Sequence, residues 1–421
     1  MERWEIVVVG AGAAGWMAAL TAGKTMRGQG KPGKVLLLEG NLKPGKKLLA
    51  TGNGRCNLTN WAAGPDHYHG DVALAAPLLK LCPPGRILEE FERLGLLCQG
   101  DEEGRVYPRN YQAAAVLQIL RAGSQEVGVE LRCGFGVTSI RKREGGFLLE
   151  NREGQEIWCA RCILACGGKA SPRHSWEGGG YELARQLGHQ VTKLHPSLTY
   201  LTYGEKPLRA LKGMRCKARV TLWAGGEKRR EDRGEVLFGD GSLSGICMFD
   251  MSAQLEQPVP PETWISLDLA EDMTYREVLG YLESQAKAHP QFPARELLEG
   301  MVNLRVGEEL MKVLGVSQEE TFRDLTRERL RKAAGLVKDW RFSITGTGSW
   351  ENAQVTAGGV PLGEVDPLTL ESRRCPGVYL TGELLNLHGD CGGYNLHWAW
   401  ATGMAAGESA ARKGRKEHNA C

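Results

Sequence analysis

The sequence has no apolar run approaching the ~20 residues that a bilayer-spanning helix needs, so no membrane partner is expected. It has almost no surplus of either charge: 53 lysines and arginines stand against 50 aspartates and glutamates, a formal net of +3. That balance gives no footprint for a nucleic-acid partner. It lacks a basic leader ahead of its first apolar run, which goes from Ile6 straight into glycines. No secretory signal is read there, and a cytoplasmic location is expected. The basic stretch from Arg412 is read as a solvated chain end. The twelve cysteines are read as reduced thiols. The one C-x-x-C, Cys159 to Cys162, has no second pair at zinc-ribbon spacing and runs into an apolar stretch, so no metal is expected.

What is abundant is glycine, 56 residues gathered at a few places rather than in a repeat. Clusters of this kind mark tight turns pressed against a ligand. The first lies in WEIVVVGAGAAGWMAALTAGK, which reads as strand, then Gly10-x-Gly12-x-x-Gly15, then helix. In that context the spacing is a phosphate-binding fingerprint. Gly10 permits the turn, Gly12 lets a pyrophosphate approach the backbone, Gly15 packs helix on strand, and Ala11 and Ala14 complete the loop. The helix N-terminus offers free N–H groups and a partial positive charge. A second strand, KVLLLEG, ends at Glu39 and Gly40. Glu39 stands 24 residues after Gly15, near the ~20 expected of the acid that holds the adenosine ribose hydroxyls.

LLATGNGRCNLTN, Leu48 to Asn60, has neither helical nor strand periodicity. A glycine-rich loop so soon after Glu39 suggests backbone laid against a flat, extended cofactor, FAD rather than NAD. NYQAAAVLQILRAGSQ reads as a helix and LRCGFGVTSI as one further strand. Its Gly134-x-Gly136 is followed by more strand, so it is not a second fingerprint; Val137 either flanks the adenine or is core. CILACGG brings an apolar strand into paired glycines, with Ala165, Cys166 and Gly167 expected at the cofactor. Near the far end, VYLTGE is a strand ending in Gly382 and Glu383, an acid suited to a ribityl hydroxyl. GGYNLHWAWATGMAAGESAA then opens a helix with two glycines. Its N-terminus would face the N1–C2=O edge of a flavin, where charge gathers on reduction, while Trp398 and Trp400 serve as core.

The stretches GAGAAG, PGKKLLATGNGRCNLTN, VYPRN, ACGGKASP, GGGYELARQLGH, LSG, AQVTAGGV and GDCGGYNLHWAWATG occur in this order over nearly the whole chain. Together they resemble the BaiN-like (YhiN-like) FAD-dependent flavoproteins. The resemblance implies an α/β fold whose Rossmann-like FAD-binding domain is built from both chain ends. It places the GNGRCN loop near the isoalloxazine, with Lys47, Thr51, Gly52, Asn53, Gly54, Arg55, Cys56 and Asn57 among the cofactor contacts. Asn53, Arg55 and Asn57 can donate hydrogen bonds, and Cys56 either packs or lies by the ring. It adds Asp390, Gly392, Gly393, Tyr394 and Asn395 at the other end. With no paired cysteine, a disulfide-reductase role is not expected. Similar proteins often carry Thr-His where this chain has Gly239-Asp240, Thr and Gln where it has Cys391 and His397, and an acidic pair where it has Asn386 and His388.

Between about His195 and Trp340 the pattern changes. CKARVTLWAG, GEVLFG and WISLDL are strand-like; YREVLGYLESQAKAH, RELLEGMVNLRVGEELMKVLG and RERLRKAAGLVKDW are helix-like. The expected organisation is a first part of the FAD domain over 1–194, an inserted β subdomain over 195–271, a helical subdomain over 272–340, and the second FAD-domain part over 341–421. An insert of this kind is expected to roof the flavin. The expected activity is an FAD-dependent reductase that passes hydride from NAD(P)H, a transient donor, through flavin N5 to a conjugated C=C. The resemblance raises a 3-oxo-4-ene or 4,6-diene bile acid or steroid as one concrete substrate, in keeping with an apolar small molecule. Tyr394, His388 and His397 are the candidate acids. Two other readings stand beside it: an amine or aminoketone oxidase that releases peroxide, and an RNA-modifying or sensing flavoprotein.

Overall fold

A computed structural model describes residues 2–30, 34–174, 179–206 and 208–412. The basic tail beyond Arg412 and Gly178 of the GGGYELARQLGH stretch lie outside the described residues. The chain forms two compact units, residues 1–197 with 350–421, and residues 198–349. Among the described residues no helix is long and apolar enough to cross a membrane.

The first unit is built on a seven-stranded sheet. Val129–Cys133, Val35–Glu39, Glu2–Val9 and Glu156–Leu164 lie side by side and parallel, with Val378–Leu380 parallel to the end of the last. Gly146–Asn151 and Val137–Arg143 continue it antiparallel. The parallel strands are apolar runs because both faces are covered: Ile6, Val7, Val8, Leu36 and Leu37 are fully buried. Val8 pairs with Leu37 on one side and Ile163 on the other. LRCGFGVTSI, expected as one strand, is two. The chain leaves the parallel edge at Gly134, whose φ is +74°, and re-enters at Val137 on the opposite side of the sheet.

Helix Ala13–Gly28 is alanine- and glycine-rich because the C-terminal helix Tyr394–Arg412 crosses it at backbone contact. A Cβ at Gly403 would stand 2.5 Å from the carbonyl oxygen of Ala14, and one at Gly407 would overlap that of Ala18. Trp16, Trp398 and Trp400 fill the surrounding core. Trp398 donates to the Gly382 carbonyl at 3.2 Å and Trp400 to that of Leu58 at 3.0 Å.

The second unit is a closed six-stranded barrel ordered Leu201–Tyr203, Ser242–Ser244, Glu227–Phe238, Arg215–Ala224, Trp264–Asp268, Trp340–Thr347. The Arg215–Ala224 strand alternates, with Ala218, Val220, Leu222 and Ala224 buried, the period-two pattern of a half-buried strand. Strand and helical portions share one core, in which Leu222, Ile265 and Phe342 meet Leu282, Leu310 and Val337. Trp340–Thr347, expected with the returning chain, pairs with Trp264–Asp268 and closes the barrel. The long helix expected from Arg295 is broken. Only Leu304–Val313 is α-helical, begun afresh by Asn303, whose side chain accepts from the Arg305 N–H at 3.2 Å.

Candidate cofactor and proton-transfer site

The first parallel strand ends at Val9 and the chain turns at Gly10, where φ is +104°. A Cβ there would lie 2.5 Å from the Ala165 carbonyl oxygen, and one at Gly15 would overlap the carbonyl oxygen of Gly10. Both positions therefore need glycine. Gly12 differs: its φ is −84°, it caps helix Ala13–Gly28 with no side-chain hydrogen bond, and nothing lies within 4 Å of where its Cβ would be. No acidic residue occupies that first turn. An uncapped helix N-terminus under open backbone is an anion cradle.

Glu39 closes one side of the cradle. It is 8% exposed. Its carboxylate accepts from the Ala11 N–H at 3.0 Å and from the backbone and side-chain nitrogens of Asn41, both at 2.8 Å. Gly40 follows directly. Val137 is buried in the sheet, two residues beyond Phe135, whose N–H donates to the Glu39 carbonyl at 3.0 Å. Ala165 and Cys166 stand against the turn, with the Ala165 N–H on the Val9 carbonyl at 2.9 Å. Burial pushes the Cys166 thiol up to about 12, so it stays protonated. Gly167 has φ +72° and open space beside it.

Two expected residues 336 positions apart meet here: Lys47 Nζ lies 2.6 Å from Glu383 Oε2. The other carboxylate oxygen of Glu383 accepts from the Thr356 N–H at 2.8 Å. The Thr356 hydroxyl in turn accepts from the N–H groups of Lys169 and Ala170 at 2.7 and 3.0 Å. Gly382, φ +64°, sits 3.2 Å below Ala14 when given a Cβ. Thr356 and Gly168 were not singled out from the sequence; AQVTAGGV carries the first, and a Cβ at the second would overlap Glu383 and Thr356.

The GNGRCN loop departs from any regular conformation. Gly52, Asn53, Gly54 and Cys56 all have positive φ, which costs the non-glycine residues of order 1 kcal/mol or more each. Thr51 donates its hydroxyl to the Leu48 carbonyl at 2.6 Å. Arg55 bends back to the Gly52 carbonyl at 3.1 Å and lies over the Tyr107 ring. Gly52, Asn53 and Gly54 are exposed, while Cys56 is fully buried. Burial lifts its thiol to about 12, which makes it a packing residue. Asn57 is buried with its side-chain oxygen lacking any hydrogen-bond partner, an arrangement that costs free energy unless a ligand donor arrives. Beside it are Gly392 and Gly393, at φ +122° and +101°. A Cβ on Gly393 would stand 2.5 Å from the Thr59 carbonyl oxygen and 2.7 Å from Asn57 Oδ1.

Asn395, expected at the cofactor, directs its amide elsewhere: it accepts from the Gly389 N–H at 2.8 Å and donates to the Gly389 carbonyl at 2.7 Å. It shapes the turn into the helix. His397, a candidate acid, has no exposed surface and shares a hydrogen bond of 2.8 Å between Nδ1 and the Thr59 hydroxyl. One helical turn in from Tyr394, it faces the core, and burial holds it down at about 4. His388 is also buried, with neither ring nitrogen hydrogen-bonded, and burial lowers it to about 3. Both rings are therefore neutral at pH 7. Tyr394 is 5% exposed and its ring is stacked by His67, 4.4 Å between centroids. Asp390 is buried and bridges His69, 2.8 Å, and His67, 3.5 Å. The two histidines of DHYHG were not drawn from the sequence; the pairing of strand Tyr68–Gly70 with Leu387–Gly389 brings them in. No group of three or more His, Cys, Asp or Glu among the described residues is placed to hold a metal.

The open Gly12 cradle, the Glu39 carboxylate beside it and the unsatisfied Asn57 oxygen fit a dinucleotide that ends in a ring system with a hydrogen-bond donor. The family description "HI0933-like protein Rossmann domain" matches residues 4–409. A 3-dehydro-bile acid delta(4,6)-reductase of Clostridium scindens is 37% identical over 97% of this chain and 99% of its own length. A ribosomal RNA dihydrouridine synthase of Escherichia coli is 28% identical over 97% of this chain and 98% of its own. An open-conformation flavocytochrome c3 fumarate reductase aligns with a TM-score of 0.47 at 16% identity, over 97% of this chain and 78% of that one.

Proposed function

This chain belongs to the HI0933-like Rossmann family, and on that premise we propose that it saturates a C=C bond conjugated to a carbonyl, with a 3-oxo-4-ene or 4,6-diene bile acid or steroid as its substrate and NADH or NADPH as transient donor. It is an FAD-dependent oxidoreductase acting on CH–CH groups. The observation that carries the reading is the buried, unpartnered Asn57 oxygen beside Gly392 and Gly393 at the start of the C-terminal helix. A hydrogen-bond donor on the edge of a ring would satisfy Asn57, and the helix N-terminus would favour the negative charge that accompanies reduction. Support for the substrate comes from the bile-acid reductase, similar along its whole length.

Bound FAD supplies hydride exchange. Around it, Gly10 to Gly15 would take the pyrophosphate, Glu39 the ribose diol, and Lys47 with Glu383 the ribityl hydroxyls. Gly52 to Gly54 keep side chains out of the way of the ring, and Arg55 and Asn53 can turn toward ring or substrate. A second reading has a specific support: dihydrouridine formation also saturates a C=C conjugated to a carbonyl, and a protein named for it is similar over 97% of this chain. The test is anaerobic stopped-flow. NADH or NADPH should bleach the flavin, and an enone steroid should restore its colour. Reoxidation by uridine-containing RNA alone would move the assignment to the second reading. Rapid peroxide release with an amine, and no reoxidation by either acceptor, would sink both.

A further inference from the structure

The proton that completes a C=C reduction needs a donor, and the residues first considered for it are poorly suited. His388 and His397 are buried and neutral, and Tyr394 is buried with its ring face covered by His67. The covering ring is the better candidate. His67 presents 36% of its side chain to solvent, whereas the Asp390 side chain behind it presents 4%. Asp390 Oδ2 lies 3.5 Å from His67 Nδ1, which leaves Nε2 as the ring nitrogen away from the carboxylate, and the Asp390 N–H donates to the His67 carbonyl at 2.9 Å. The other carboxylate oxygen is 2.8 Å from His69 Nε2. The His67 ring plane is 13° from that of Tyr394, the first residue of the helix that begins beside Gly393 and Asn57. A carboxylate behind one nitrogen of a partly exposed imidazole is the usual build of a general acid–base histidine.

We propose that His67 is the proton donor of the reduction, oriented by Asp390, with His69 holding the second carboxylate oxygen; the assignment rests on the reading that this chain saturates a carbonyl-conjugated C=C. The new C–H bond at the β-carbon takes a hydride that bound FAD, once reduced, would supply. The C=C π electrons move to the α-carbon, conjugated with the carbonyl. The Nε2–H bond of protonated His67 breaks as the α C–H bond forms, leaving neutral imidazole, which regains its proton from water. Substrate gains one proton from His67 and one hydride, the two-electron reductant that bound FAD would provide. His67 is catalytic; Asp390 and His69 are positioning residues.

The experiment separates the two half-reactions in the FAD-loaded enzyme, with a 3-oxo-4-ene steroid and uridine-containing RNA as acceptors. His67→Gln should be reduced by NAD(P)H within twofold of wild type, yet be reoxidised on the order of 10²–10⁴ times more slowly. In His67→Ala, added imidazole should restore much of the lost rate, an effect that a merely structural role would not give. Asp390→Asn and His69→Gln should slow reoxidation less and change its solvent deuterium isotope effect. FAD absorbance checks that each variant is intact, and His289→Gln, on the surface of the other unit, is the control. Reoxidation of His67→Gln within twofold of wild type, or no imidazole rescue of His67→Ala, overturns the assignment alone. Failure of wild type to be reoxidised by either acceptor overturns the reading beneath it, and the assignment falls with it.

Discussion

Glu39 has two tasks, which makes its substitution informative. In the fold it accepts from the Ala11 and Asn41 N–H groups; in function it is placed for a ribose diol. Glu39→Ala removes charge-assisted hydrogen bonds of about 1.5–3 kcal/mol, so FAD affinity should fall roughly tenfold or more. It also leaves the Ala11 N–H unpaired, so the protein without FAD should melt lower as well. Isothermal titration and a thermal melt read the two effects, and an unchanged FAD affinity would show that the ribose lies elsewhere. Glu39 was legible because a strand end, a glycine turn and a spacing all lie within one short stretch. The Lys47–Glu383 pair was not legible as a pair, because it depends on where two distant segments meet. His67 and His69 were missed for the same reason: their partner Asp390 is brought in by a two-strand pairing, and nothing local announces it. His397 misled because a histidine near a glycine motif looks functional until helical phase turns it inward.

Two glycines of the N-terminal turn should behave oppositely, since one meets backbone and the other meets space. Gly15→Ala forces a methyl onto the Gly10 carbonyl. It should lower stability by about 1–3 kcal/mol and abolish FAD binding with it. Gly12→Val adds bulk where nothing stands within 4 Å and φ is ordinary. Its melting temperature without FAD should stay near wild type while FAD binding is lost. Circular dichroism melts with flavin stoichiometry decide this; FAD retained by Gly12→Val would show that the phosphates do not cross that helix start. At this scale the strand–turn–helix reading was accurate because the glycine requirements are local. The broken helix after Arg295 was not, since its apolar spacing continues through residues that the fold uses as a turn, and only Asn303 marks the restart.

Across the whole molecule, the buried histidines tie stability to pH. His388 at about 3 and His397 at about 4 are both held below the ordinary value of 6.5 by burial. A depressed histidine favours the fold while neutral. Its contribution is therefore complete above pH 6.5 and shrinks as pH falls, because the unfolded chain takes up protons that the folded chain refuses. From pH 6.5 to 5 each ring should remove about 2 kcal/mol. Chemical denaturation at a series of pH values should show this slope, and His397→Gln should flatten it; an equal slope in the variant would assign acid sensitivity to other groups. A change of pattern near His195 was readable, with the β and helical subdomains expected apart over 195–271 and 272–340. The common core of barrel and helices was not, since strand and helix periodicities look the same whether they face one interior or two.

The crossing of Ala13–Gly28 by Tyr394–Arg412 through Gly403 and Gly407 has a consequence for synthesis. The glycine turn and helix Ala13–Gly28 are translated long before the helix that packs on them. Residues 198–349 contain a closed barrel with its own core and leave the ribosome complete while the first unit is still missing a parallel strand and that helix. The growing chain therefore carries Ala14 and Ala18 without the helix that packs on them until Gly403 and Gly407 have been added.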